Sequence, residues 1–158
     1  MLRLHTRVAY AVTAMLDIAL NDAHGPVSLA KICARHKISR TYLETVFSKL
    51  MAHDLVNSLR GPGGGYTLSR SSEDISLSDI AFAVDESIFE DEFVIGESMR
   101  SEICADFNRQ VIHHLSAINL RKLVIEQQEW VQMRRLTDPS LPFFGKQVVK
   151  TAMVQMGT

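Results

Sequence analysis

The chain has 158 residues, enough for one domain with a small appendage, and at 46% apolar and 22% charged residues it is not a disordered polymer. No apolar run approaches the ~20 residues of a membrane span, and a chain this long buries roughly 70% of its unfolded surface without disulfides or a structural metal. The net charge of −1 hides an asymmetry: residues 1–70 carry nine Lys/Arg against four Asp/Glu, and the remainder carries eight against fourteen. A basic first half suits a polyanion-binding face.

The start, MLRLHTRVAYAV, lacks a clean apolar h-region and a small-residue cleavage site, which argues against secretion. Cys33 and Cys104 are the only cysteines, too few for a disulfide framework, so a cytoplasmic location is expected. In chain order, Val8, Ala11, Val12, Met15, Leu16 and Ala19 predict a helix over 6–20 with one buried stripe. The turn-rich stretch 21–26 ends it. Ser28 caps a second helix over 29–36 that buries Leu29, Ile32 and Cys33. After the turn 36–38, Ser39 caps a third helix that buries Leu43, Val46, Phe47 and Leu50.

Two short β-like runs, 55–59 and 66–69, flank the glycine-rich 60–65 and predict an antiparallel hairpin. Ser76, with Asp79 three residues on, caps a helix over 77–84. The acid-rich 85–102 shows no period and reads as a loop. A longer helix from about Ile103 to Ile118 and another starting after Asn119 follow, and no structure is assigned to the tail from 137. The expected organisation is a DNA-binding module over 1–85, with a helix-turn-helix at about 29–52 and a wing at about 55–69. An acidic loop over 86–102, a helical unit over 103–136 and the tail 137–158 complete it. The fold class is mainly α with a small β-hairpin, in the order of a winged helix-turn-helix.

Helix-turn-helix modules lay their second helix in the major groove with its first residues at the base edges. Removing the apolar stripe from the third helix leaves Arg40, Thr41, Glu44, Thr45, Ser48 and Lys49, with Tyr42 at the edge. These supply a base for phosphate or guanine, hydroxyls, and a carboxylate for cytosine N4; the competing reading is an ordinary polar face. Arg60 enters the glycine-rich turn, where a bare backbone and a guanidinium suit a minor groove; the alternative is a plain hairpin loop. No Lys follows these glycines, so the loop is not a nucleotide-binding P-loop.

The runs RVAYAVTAMLDIAL, ISRTYLETVFSKL and LVNSLRGPGGGYTLS, continued by AVDES at 83–87, closely resemble the IscR-type family of bacterial winged-helix transcription regulators. The resemblance covers roughly residues 3–87 and fades beyond. It implies a homodimer, paired through the long helix, that reads a pseudo-palindromic operator in double-stranded DNA. It assigns DNA contacts to Thr41, Tyr42, Glu44 and Arg60, with Arg40 added from the helix pattern.

Many family members hold an iron–sulfur cluster through three cysteines and a histidine in the loop after AVDES. Here IFEDEFVIGESMRSEICADFN has Cys104 alone and no histidine, so the usual ligand set is missing. No cofactor is expected, and Cys104 is the weak candidate for a metal ligand. His113 and His114 are adjacent, about 100° apart on a helix, which is poor ligand spacing. The acidic run lacks the D-x-D-x-D-G calcium pattern, and no catalytic constellation rises above background. The expected function is a sequence-specific regulator acting without a cluster. The alternatives are a sensor with a reduced ligand set and a winged-helix module that binds protein rather than DNA.

Overall fold

The computed structural model describes residues 6–85 and 99–137. Helix α1 (Thr6–Asn21) is followed by a single 3-10 turn, Asp22–His24, then α2 (Leu29–His36) and α3 (Arg40–Ala52). Strands β1 (Val56–Leu59) and β2 (Gly65–Leu68) form the hairpin, and α4 (Leu77–Val84), α5 (Met99–Ala117) and α6 (Leu120–Thr137) complete the chain. The fold is mainly helical with one two-stranded antiparallel sheet, in the expected order.

Local signals account for the helix starts. The Ser28 hydroxyl accepts from the Lys31 amide, and the Ser39 hydroxyl from the Tyr42 amide at 3.3 Å, each satisfying one orphan donor of a first turn. At α4 the cap is reciprocal: Ser76 Oγ accepts from the Asp79 amide while Asp79 Oδ2 accepts from the Ser76 amide. Asn119 Oδ1 accepts from the Lys122 amide at 2.9 Å and starts α6. Lys37 ends α2 in the left-handed conformation at φ 54°, which turns the chain sharply into α3.

The core is built around α1, which packs on α3, α4, α6 and β2. Its Val8, Ala11, Met15 and Ile18 meet Phe47, Leu50, Ile80 and Val84, all buried in one cluster. The later helices are joined to the first part by main-chain bonds as well as by packing. The Leu77 amide donates to the Ile118 carbonyl, and the Leu120 amide donates to the Ile75 carbonyl, each at 2.8 Å. This short antiparallel bridge sets the start of α6 beside the start of α4.

Three expectations shift. Helix α5 begins at Met99, ahead of the expected Ile103 and inside the run read as a loop. Its first turn, 99–102, carries Arg100 beside Glu102 and shows no apolar period, so the sequence pattern does not announce this start. Cys33 is half-buried on the edge of the core rather than fully inside it. Helix α6 runs to Thr137. The remaining acidic loop, 86–98, and the tail, 138–158, lie outside the described residues.

One buried polar cluster went unread in the sequence. Asp17, on the inner face of α1 and 6% exposed, accepts from Arg35 Nη1 and from His36 Nε2 at 3.1 Å. Asn21 Nδ2 donates to the same carboxylate at 3.0 Å. A buried carboxylate is tolerated only when such donors replace its water. The cluster therefore fixes α2 against α1 at a chosen rotation. Asp17→Ala is expected to lower stability by about 1–3 kcal/mol, because the donors lose their acceptor. Exposed Asn57→Ala should stay within about 0.5 kcal/mol. Urea unfolding of both variants checks this.

Candidate nucleic-acid interface

Helix α3 turns Leu43, Val46, Phe47 and Leu50 into the core and leaves Arg40, Thr41, Glu44, Thr45 and Ser48 exposed. The polar face expected of a groove-reading helix is therefore present. Arg40 Nε donates to Glu44 Oε1 at 2.9 Å, an exposed pair one helical turn apart. The Glu44 carboxylate holds the Arg40 guanidinium above its ordinary value, so the arginine stays charged. Thr45 Oγ1 donates back to the Thr41 carbonyl.

Tyr42 is half-buried, with its ring edge-on to Tyr10 of α1 at 5.5 Å between centroids. Burial pushes its hydroxyl above the usual phenol range, while the Arg7 guanidinium draws it the other way. Tyr42 thus anchors the first turn of α3 to α1 and sits at the rim of the exposed face. Lys49, grouped with the groove-facing residues by periodicity, is otherwise engaged. Its Nζ donates to the Val84 carbonyl at 3.0 Å and caps the end of α4.

The wing is tied to this helix by an aromatic contact. Phe47 of α3 and Tyr66 of β2 meet with ring centroids 4.3 Å apart. Tyr66 also exchanges two main-chain hydrogen bonds of 2.9 Å with Val27, the residue before the Ser28 cap. The hairpin is therefore three-stranded at one position, a pairing that no periodicity announced. In the hairpin itself Val56 faces Leu68, Asn57 Thr67, Ser58 Tyr66 and Leu59 Gly65.

Arg60 follows β1 directly and is exposed, with no partner among the described residues. Gly61 and Gly63 take φ of 106° and 82°, which a side chain would resist, and the Gly64 amide closes the turn on the Gly61 carbonyl at 2.9 Å. Gly65 is required by crowding: a Cβ there would lie 2.5 Å from the Val27 carbonyl.

The other singled-out residues lie elsewhere. Cys33 is on α2, and His113 and His114 are both exposed on α5. Cys104 falls within α5, and its side chain lies outside the described residues. Among the described residues no three His, Cys, Asp or Glu side chains are grouped to hold a metal ion. No described helix is long and apolar enough to cross a membrane.

Two capped helices with a sharp turn, an exposed polar face on the second, and a glycine-tipped hairpin bolted beside it define a winged helix-turn-helix. The protein is a DNA-binding transcription regulator and not an enzyme. It belongs to the Rrf2 family, iron-dependent transcriptional regulators by description, whose model matches residues 4–126. It is similar to ORF2 of Azotobacter vinelandii, which is named as an HTH-type transcriptional regulator. The two are 43% identical over 157 residues, spanning 92% of this chain and 96% of that one.

Among solved structures, CymR, the global cysteine regulator of B. subtilis, superposes with a TM-score of 0.72 at 29% identity. It covers 80% of this chain and 98% of its own. IscR of T. potens superposes with a TM-score of 0.71 at 31% identity, over 81% of this chain and 90% of its own.

The crowding at Gly65 gives a direct check on the wing. Gly65→Ala must push β2 off Val27, at a cost of about 1–3 kcal/mol in stability. On the reading that the wing enters a groove, it is expected to weaken duplex binding by at least about ten-fold. Thermal unfolding and fluorescence anisotropy measure the two effects.

Proposed function

We propose that the chain works as a homodimer on a pseudo-palindromic duplex in the bacterial cytoplasm, and that it binds DNA without an iron–sulfur cluster. Each protomer lays α3 in a major groove and the glycine-tipped turn in the adjacent minor groove. The observation that carries this reading is the Phe47–Tyr66 contact, which holds the polar face of α3 and Arg60 on one unit. Arg40, Thr41, Tyr42 and Glu44 are the readers on the helix, and Arg60 is the reader on the wing.

Dimerisation is supported by what one module can do. A single winged domain covers one half-site, and two half-sites about one helical turn apart supply the missing affinity. Helix α5, with 19 residues, packs on α4 and brings Leu115 and Val111 to the core. The resemblance of residues 3–87 to the IscR-type family implies pairing through this helix.

The donor set does not fit a family cluster. A [2Fe–2S] centre needs four protein ligands, chiefly thiolates. This chain holds two cysteines, and Cys33 is packed on the core edge of α2. Two protomers could pool two Cys104 thiolates with carboxylates such as Glu97 or Glu102, but carboxylates are hard ligands and poor partners for iron–sulfide.

Two experiments test this. On a duplex selected from a random pool, Arg60→Ala is expected to cost about 1–3 kcal/mol of binding with folding intact. Glu44→Ala removes the carboxylate that now engages Arg40, and is expected to relax sequence preference and raise affinity for sites lacking the matching cytosine. Wild-type affinity in the first variant and an unchanged profile in the second would remove both residues from the interface. Separately, anaerobic reconstitution with iron and sulfide is expected to leave the protein colourless and its DNA affinity unchanged. Stoichiometric iron with charge-transfer bands, lost in Cys104→Ala, would make it a cluster sensor with a reduced ligand set.

A further inference from the structure

The alternation along β1 divides its side chains between two faces. Val56 and Ser58, with Leu68 and Tyr66 opposite them, share the face that carries Tyr66 onto Phe47. Asn57 and Leu59, with Thr67 and Gly65 opposite, share the outer face. That face is polar or bare at three positions and carries a leucine at the fourth. Leu59 is 51% exposed.

Its exposure is built in. Cross-strand partners lie on the same face, so the group that would cover Leu59 is the side chain at position 65. That position is a glycine, and it must be one, because a Cβ there would meet the Val27 carbonyl at 2.5 Å. The same main-chain bridge that fixes the wing beside α3 thus leaves a bare leucine next to Arg60. The other exposed large apolar residues among those described, Met51, Phe82, Ile125 and Met133, all lie on helices.

We propose that Leu59 is a second wing contact to DNA, an apolar one, set against the sugar wall and base edges of the minor groove that Arg60 enters. This rests on the DNA-binding reading and deepens it. Continuity with Arg60 and the bare glycine turn selects the occupant. Minor-groove proteins combine a cation, which finds the negative potential, with an aliphatic side chain that excludes water from the groove floor and wall. The two residues divide the work. Arg60 supplies attraction that salt weakens, and Leu59 supplies burial that salt leaves alone.

That division gives the test. Full-length wild type, Leu59→Thr, Leu59→Ile and Arg60→Ala are titrated by fluorescence anisotropy against the duplex selected from a random pool by the wild type, across a range of salt. Thr and Ile are both β-branched and suit a strand equally, so folding is held constant between them. Leu59→Thr is expected to bind roughly three- to ten-fold more weakly with the wild-type salt slope, and Leu59→Ile close to wild type. Arg60→Ala is expected to lower the salt slope by about one.

Equal affinity of Thr and Ile variants, or a changed salt slope in Leu59→Thr, would overturn the apolar contact while leaving DNA binding standing. Failure of the wild type to select any duplex would overturn the DNA-binding reading, and this inference with it.

Discussion

The relative placement of helix α3 and the wing depends on one junction. Phe47, fully buried, brings α3 to Tyr66, and Tyr66 is paired through its main chain to Val27 at the entry to α2. Ring contact sets the distance, and the two hydrogen bonds set the angle. On the proposed reading these two elements address neighbouring grooves, which needs a fixed relative placement that a flexible loop cannot supply. Aromatic packing reinforced by backbone pairing can, because both are short-ranged and directional.

The rest of the molecule reinforces this unit from behind. The Asp17 carboxylate gathers donors from α2 and fixes that helix on α1, while Tyr42 rests its ring on Tyr10 and fixes the start of α3 on the same helix. Lys49 reaches from α3 to the last carbonyl of α4. Helix α1 is thus the common support, and α4 is locked both to α3 and, through the 75–77 and 118–120 bridge, to α6. The end of α4 is thereby bonded to α3.

The electrostatics of the exposed face are less one-sided than the +5 surplus of the first half suggests. Arg40 is paired with Glu44 on the same face, and Lys49 is turned to a backbone carbonyl. Arg60 on the wing, by contrast, has no partner among the described residues. An exposed ion pair such as Arg40–Glu44 is worth little as a stabilising contact. In the proposed DNA-bound arrangement it acts as a coupled donor and acceptor, one that favours a base pair offering both groups.

By itself the sequence determined the helices, their caps, the hairpin and the family. These are local properties: apolar spacing of 3.6 residues, a hydroxyl or carboxylate at the right offset from a first turn, and glycines where φ must be positive. Ser28, Ser39, Ser76 and Asn119 were each legible as caps for that reason, and the polar face of α3 followed by subtraction. The start of α5 was misplaced because its first turn, with Arg100, Ser101 and Glu102, shows no apolar period.

Only the tertiary structure decided the Asp17 cluster, the pairing of Tyr66 with Val27, the diversion of Lys49 and the exposure of Leu59. Each depends on groups far apart in the chain, 18 residues from Asp17 to Arg35 and 35 from Lys49 to Val84. A sequence pattern records what a residue is and how it recurs. Which partner it meets across the fold is fixed only when the helices have packed and every buried donor has found its acceptor.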